Sequence, residues 1–322
     1  MKKKKRKRVL PSRKILIDAP RDMRVLGPSI KDVLVFFREL RTEKNWSQTK
    51  RGKQKIEASL KDVEEIDYAA ISILTAIAEN LKKENKLFSF TPPVSRNVRK
   101  QLFFSGMLKH FYDEYGKKGR DFSGGKLINL KDGFGRLKAK EMEAVMLSLD
   151  NMLGLINYPL DEKMQLLKSL RSVILEICGN AIEWGYGKTE KKWILGLRRE
   201  SETEITITFT DIGNGILKTL KRKPQDVVWD VVAQRNNSVD ILRRVFEKKY
   251  GSSTNEPNRN RGLPMIKKKL GDIKNSNLKV LTNDALLAFD NPSESKNLKD
   301  IQAHFHGTFY QWSIKNGANQ NL

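Results

Sequence analysis

Apolar residues along the first hundred positions switch between two patterns, one typical of strands and one typical of helices. Short alternating or continuous apolar runs indicate strands, whereas apolar residues that recur every three or four positions indicate helices with one buried face. The strand-type segments are 14–18, 53–60 and 86–90, and the helix-type segments are 28–37, 68–84 and 94–105. Because strands and helices alternate, we expect a small α/β domain over residues 13–114.

The pattern changes after this region. Residues 115–139 are rich in glycine, lysine and aspartate, which predicts a linker or an exposed hairpin ahead of a second domain over 140–316. The strand-type segments of that domain are 193–197, 204–209, 278–281, 285–289 and 307–314, and its helix-type segments are 141–155, 160–184 and 225–250. The predicted fold class of the whole chain is α/β (α+β).

Two polar patterns in the second domain point to chemistry. Glu176 and Asn180 are four positions apart in a helix-type segment, so their side chains leave the same face, about 6 Å apart at Cβ. Asp211 follows a strand-type segment and leads two spaced glycines, Gly213 and Gly215. Glycine lets a backbone turn tightly and come close to a ligand. The two patterns together indicate a nucleotide site.

Charge adds a second line of interpretation. The 322 residues include 62 lysines and arginines against 38 acidic residues, a formal net charge of +24. Such a field attracts polyanions. Nucleic acid is therefore one expected partner, through the basic surface and through residues 2–8 of an arm predicted to be disordered over 1–12. A solubilising arm would explain the same residues. A short tail, 317–322, closes the chain.

Several classes of protein are disfavoured by what the sequence lacks. No apolar run approaches the roughly 20 residues that a membrane helix needs, and no apolar stretch with a cleavage site follows the basic start. We therefore expect a cytoplasmic protein with no membrane segment. Cys178 is the one cysteine, which excludes an internal disulfide. The three histidines form no pair typical of a transition-metal site.

Residues 63–71, Val-Glu-Glu-Ile-Asp-Tyr-Ala-Ala-Ile, and the unit 91–107 resemble the STAS domain of anti-sigma-factor antagonists and sulfate transporters. The first segment is similar to that family's acid-led turn into a helix, and the second to its last strand-to-helix unit. Antagonists of this family are commonly phosphorylated on a serine or threonine two residues after the acid. Ala69 stands at that position here and has no hydroxyl. Ser72 and Thr75 lie further into the helix and are expected to be packing residues.

Four motifs of the second domain, at 176–186, 211–215, 259–266 and 307–308, occur in an order that resembles the GHKL superfamily. That superfamily includes gyrase-type ATPases, histidine kinases and the serine kinases that act as anti-sigma factors. The first motif, Glu-Ile-Cys-Gly-Asn-Ala-Ile-Glu-Trp-Gly-Tyr, is closest in wording to the anti-sigma serine kinases. The resemblance covers about residues 140–315 and implies a two-layer α/β sandwich that binds ATP with Mg²⁺.

The resemblance also implies a role for each residue of the first two motifs. Asn180 would hold Mg²⁺ through its amide oxygen, beside the nucleotide phosphates. Glu176 would accept the proton of an attacking water or hydroxyl. Asp211 would accept a hydrogen bond from the adenine amino group, a contact that guanine cannot make. Gly213 and Gly215 would let the backbone approach the nucleotide.

The other two motifs would complete the nucleotide site. Gly262 precedes a predicted helix whose first amides would point at the phosphates. Arg261 replaces a glycine of the family pattern, and it either contacts phosphate or is an exposed structural arginine. The Thr308 hydroxyl would help to hold Asp211 and the base, or the residue simply starts a strand.

Three functions are consistent with these motifs. The first is a regulatory protein that binds Mg-ATP, hydrolyses it slowly and uses its nucleotide state to control a lid and a protein partner. The second is a serine/threonine protein kinase of the anti-sigma type, in which Glu176 activates a hydroxyl. The third is a nucleic-acid-associated component in which ATP sets the conformation. Dimerisation is common in the superfamily, so a homodimer is among the states to test.

Overall fold

The computed structural model describes residues 16–49, 52–111, 128–134, 137–185, 192–220, 237–247, 262–273 and 277–316. The predicted basic arm at 1–12, the tail at 317–322 and Arg261 lie outside these ranges. Among the helices that these ranges contain, none combines the length and the hydrophobicity needed to cross a bilayer.

The N-terminal half, residues 16–111, is built around one central strand. Its main elements in chain order are β1 (Leu16–Asp18), β2 (Asp22–Met23), α1 (Ile30–Leu40), β3 (Ser47–Gln48), β4 (Gln54–Ser59), β5 (Glu65–Ile66), α2 (Tyr68–Lys83), β6 (Leu87–Thr91) and α3 (Arg96–Phe104). β4 pairs in parallel with β1 and β6 and antiparallel with β3. The strands and helices predicted for this part of the chain are confirmed as elements, with slightly different ends.

Helix α2 begins where the sequence places an acid. The Asp67 carboxylate accepts hydrogen bonds from the amides of Ala70 at 2.7 Å and Leu26 at 2.9 Å, so it caps the helix and ties a neighbouring loop to it. Burial raises the pKa of this carboxyl group. Asn85 follows the helix with a φ of 58°, the left-handed conformation that asparagine tolerates. All residues from 68 to 81 are buried, the pattern of a helix that is covered on all sides.

The C-terminal half, residues 128–316, contains a large sheet. Its main elements in chain order are β7 (Ile128–Phe134), α4 (Ala139–Leu155), α5 (Leu160–Asn180), β8 (Lys192–Arg199), β9 (Glu204–Asp211), α6 (Ile216–Leu220), α7 (Ser238–Phe246), α8 (Gly262–Gly271), β10 (Asn277–Asn283), β11 (Ala285–Ala288), β12 (Lys296–Asn297) and β13 (Phe305–Lys315). Within the described ranges the sheet has seven strands in the order β12-β11-β10-β13-β9-β8-β7, and all neighbours are antiparallel.

The edge strand of this sheet comes from residues 115–139, for which the sequence predicts a linker or an exposed hairpin. β7 lies inside that stretch and pairs with β8 along its whole length. An edge strand is held by backbone hydrogen bonds, so it can form from a sequence that is rich in glycine, lysine and aspartate. Helix α4 then begins at Ala139, close to the predicted start of the second domain.

One face of the seven-stranded sheet, the helix face, is covered by the helices of the C-terminal half. Phe209, Tyr310 and Trp312 of the two central strands are buried in the same apolar core as Val173 and Ile177 of α5. Because side chains alternate between the faces of a strand, every second residue of β9 and β13 points into this core. The helix face is the one on which an acid at the end of β9 can meet an acid on α5.

The opposite face, the threonine face, is covered by the N-terminal half. The Thr208 hydroxyl lies 2.9 Å from the Ser72 hydroxyl of α2, and both residues are fully buried. Ile194 and Phe309 of the sheet belong to the apolar core that α1 and α2 form. The two halves therefore share a core across the sheet. The chain has the α+β fold that the sequence predicts, arranged in stacked layers.

Candidate functional site

The first motif lies at the C-terminal end of α5. Glu176 and Asn180 are half-buried and one helical turn apart, so the prediction that they share a helix face is confirmed. Burial, and then the charge of Glu183, raises the pKa of Glu176. After Asn180 the helix widens into a π-helical turn over Ala181–Gly185, a local change that is frequent at functional sites.

The Asn180 amide has unused hydrogen-bonding capacity. Its Nδ2 atom is buried and has no hydrogen-bond partner among the described residues. A buried polar atom without a partner costs about 1–3 kcal/mol, and rotation of the amide by half a turn exchanges its nitrogen with its oxygen. Either end of the amide can therefore serve a ligand, and the oxygen end fits a hard cation.

The motif at residues 259–266 meets the first motif at Gly262. Helix α8 begins at this residue, and the Glu176 carboxylate packs against its backbone. A Cβ at position 262 would overlap Oε1 of Glu176, so a side chain there would push the Glu176 carboxylate out of this position. The first backbone amides of a helix have no partners within the helix. In α8 these amides therefore lie beside the Glu176 carboxylate of α5.

Asp211 ends β9 on the helix face of the sheet. Its side chain is buried, with 2% exposure for the residue, and its carboxylate accepts a hydrogen bond from the Gly213 amide at 2.9 Å. This contact shapes the start of the D-x-G-x-G loop. Thr308 on β13 is directly opposite Asp211 in the sheet register and is also buried. The structure therefore brings these two predicted site residues side by side, and their contact with a base stays a prediction.

Tyr310 is a residue of this region that the sequence interpretation missed. It lies two positions after Thr308, so both side chains leave the same face of β13. Burial raises the pKa of its phenol, and the charges of Asp211 and then Glu176 raise it further. Tyr310 is therefore within electrostatic reach of both Asp211 and Glu176. The alternation of residues along β13 is the signal that could have identified it.

A second missed feature is the Thr282-Asn283 pair at the end of β10. The Ile216 amide donates to Thr282 Oγ1 at 2.9 Å, and Asn283 Nδ2 donates to the Asn214 carbonyl at 2.8 Å. Gly215 has a φ of 79°, and a Cβ there would lie 2.5 Å from Asn283 Oδ1. The sheet itself therefore holds the D-x-G-x-G loop. Asn283 has a φ of 49°, which suits asparagine in a tight turn, and the Asn-Asp turn after a strand is its sequence signal.

The position that antagonists of the STAS family phosphorylate is inaccessible in this chain. Ala69 is completely buried. The Ser72 hydroxyl contacts Thr208, and the Thr75 hydroxyl donates to the Ile71 carbonyl at 2.8 Å. The expectation that Ser72 and Thr75 are packing residues is confirmed.

A comparison with known families and one with curated proteins gave no match to this chain. One solved structure that matches is the crystal structure of the SiaB-SiaC complex from Pseudomonas aeruginosa. The identity is 14%, the match covers 59% of this chain and 91% of that chain, and the TM-score is 0.26. A likeness at this TM-score carries no argument about fold or function.

Proposed function

We propose that this chain is a regulatory protein of the GHKL type that binds Mg-ATP between the end of α5, the end of β9 and the start of α8, and hydrolyses it. The observation that carries the proposal is the contact between Glu176 and Gly262. Residues from two motifs that are far apart in the sequence meet there, an acid on one helix and the glycine that starts another. A phosphate-binding helix end beside a general base has this arrangement.

The base-recognition end of the proposed site is Asp211. Its buried carboxylate accepts a hydrogen bond from the adenine amino group, while the carbonyl of guanine at the same position would face a carboxylate with no proton between them. Thr308, which lies opposite Asp211 in the sheet, offers its hydroxyl to the same adenine amino group. The amides of the loop that begins at Gly213 donate hydrogen bonds to side chains of the sheet, so the carboxylate is positioned in advance.

The phosphate end of the proposed site lies at α5 and α8. Amides in the first turn of α8 bind phosphate oxygens, and the amide of Asn180 holds Mg²⁺, which neutralises charge on those oxygens. Glu176 takes a proton from the attacking water. Its raised pKa favours this role, because a general base works best when its pKa lies near the operating pH.

Hydrolysis is preferred over transfer to the attached half because the position at which the STAS resemblance implies an acceptor carries no hydroxyl. Ala69 stands where the STAS family has a hydroxyl, and Ser72 is buried against the sheet. In this proposal, a protein partner detects whether nucleotide is bound. The kinase alternative would require a hydroxyl on another protein, and the net charge of +24 keeps nucleic acid as a further candidate partner.

Calorimetry with Mg-ATP on the wild-type chain and on Asp211→Asn tests the proposal. We expect the variant to lose about 10-fold to 100-fold or more in affinity, because an amide cannot replace the charged acceptor. Asp240→Asn, at an exposed acid on α7, is the matched control and should bind as the wild type does. Equal affinity of Asp211→Asn and the wild type would overturn the site. In a parallel assay with γ-labelled ATP, free labelled phosphate supports hydrolysis, and label on a partner protein supports the kinase alternative.

A further inference from the structure

Arg41, the residue that follows α1, crosses from the N-terminal half to the C-terminal half. Its guanidinium donates one hydrogen bond from Nη1 to the His306 carbonyl at 2.9 Å and one from Nη2 to the Ile212 carbonyl at 3.1 Å. The guanidinium is planar and rigid, so two bonds from one group fix the distance between the two carbonyls. A single side chain of the N-terminal half therefore holds two points of the sheet.

These two carbonyls belong to the strand ends that carry the proposed adenine-binding pair. Ile212 directly follows Asp211, and His306 lies two positions before Thr308. Between them the strands approach very closely, because Gly307 has a φ of 145° and a Cβ there would overlap the Asp211 carbonyl. The position of the Asp211 carboxylate therefore depends on how these strand ends are held together.

Arg41 lies beside two histidines at the boundary between the halves. It lines a small cleft between the halves together with Arg38, His304 and His306. Burial, and then the charges of His304, Arg41 and Lys218, lowers the pKa of His306 to about 4. The His306 ring is therefore neutral near pH 7 and adds no repulsion beside the guanidinium. His304 Nδ1 lies 2.6 Å from Asp284 Oδ1, so that ring is paired with an acid.

We propose that Arg41 is a positioning residue for Asp211, and that the N-terminal half thereby forms part of the nucleotide site. This inference rests on the proposed function. Because coupling between two sites is reciprocal, nucleotide binding at Asp211 in turn strengthens the contact between α1 and the sheet. The N-terminal half would then report the nucleotide state through the packing of α1, without any phosphorylated residue.

The test compares Arg41→Met with Arg38→Met, a matched control on the same helix whose side chain is about half exposed and lines the same cleft. The readouts are the calorimetric affinities for Mg-ATP and Mg-GTP and the unfolding midpoint. We expect Arg41→Met to lower ATP affinity about tenfold and to reduce the ATP-over-GTP preference, because charge-assisted hydrogen bonds that hold the Asp211 strand are lost. Arg38→Met should change neither quantity.

The nucleotide preference separates positioning from general support of the fold. A residue that only stabilises the protein would lower the unfolding midpoint and leave the preference of the folded fraction unchanged. Arg41→Lys, which keeps the charge but loses the two-pronged donor, should give an intermediate preference, and it serves as the decisive variant if Arg41→Met does not fold. An unchanged preference in the variants that fold would overturn the inference, whereas a wild-type chain that binds no ATP would overturn the proposed function itself.

Discussion

The two faces of the seven-stranded sheet have the same backbone and nearly the same degree of burial, yet they serve different purposes. On the helix face, the strand ends, the end of α5 and the start of α8 converge, and the charged residues Asp211 and Glu176 lie there. On the threonine face, Thr208 and Ser72 form a buried hydroxyl pair that joins the halves. Where element ends meet, unpaired backbone groups and acids become available for chemistry, whereas the middle of a sheet offers only packing.

The threonine face also makes the N-terminal half part of the protein's core. Thr208 and Thr210 are fully buried beneath α2. Removing α2 would expose a broad apolar surface that includes Ile194 and Phe309, and a soluble protein rarely presents such a surface. The half that resembles a switch domain is therefore a structural layer of this protein.

The largest expected effect concerns the helix face. Glu176→Gln should lower ATP turnover by about 10²–10⁴-fold, the usual contribution of a general base. The variant should still bind Mg-ATP, because the shape of the side chain is kept and Asp211 is untouched. Phosphate release and calorimetric affinity measure the two quantities. Phosphate release at the wild-type rate would remove Glu176 from the mechanism and leave the helix face with a binding role only.

A second prediction concerns the contact between α5 and α8. Gly262→Ala should destabilise the protein by about 0.5–1.5 kcal/mol, the usual cost of forcing a side chain away from its preferred rotamer, because the new methyl displaces the Glu176 carboxylate. In a Glu176→Ala background the same change should cost much less. Chemical denaturation of the four chains measures this coupling. Gly271→Ala, at the other end of α8 where a Cβ meets open space, is the control, and additive effects of the two substitutions would refute the contact.

A third prediction concerns the threonine face. Ser72→Ala or Thr208→Val alone leaves one buried hydroxyl without its partner, which costs about 1–3 kcal/mol. The double variant should cost less than the sum of the two, because both partners are then apolar. Ser172→Ala on α5, where the hydroxyl bonds only its own helix backbone, should change stability by less than about 0.5 kcal/mol. Denaturation midpoints measure these differences in stability. None of these variants should alter ATP affinity.

The smallest expected effect is a shift in pH dependence. The raised pKa of Glu176 means that it takes up a proton, and stops acting as a base, at a higher pH than an ordinary glutamate. Glu183→Gln removes one cause of this, so the acid limb of the turnover profile should move to lower pH, while the rate at high pH stays the same. Glu183 is exposed, so added salt should shrink the difference. Glu202→Gln, at an exposed acid between β8 and β9, should leave the profile in place.

Much of the site could be predicted from the sequence because its signals are local. The spacing of Glu176 and Asn180 fixes a shared helix face wherever the helix lies. Asp211 lies at the end of an alternating strand, and the same alternation determines on which face of the sheet its side chain lies. Tyr310 and Asn283 could not be assigned a place, since their proximity to the motifs depends on which strands are neighbours, and strand order is a property of the whole sheet.

The fold likewise combines features that have local sequence signals with features that depend on contacts between distant residues. Local patterns alone predicted that residues 204–209 form an alternating strand, that residues 68–84 form a helix, and that an acid, an amide and spaced glycines occur in a set order, because helical and strand periods are properties of neighbouring residues. Local patterns did not predict that α2 covers the threonine face, that β7 pairs at the edge of the sheet, or that Arg41 reaches the strand ends beside Asp211. These are contacts between residues distant in the chain, and they are selected by which surfaces fit and bury each other, which no local pattern specifies.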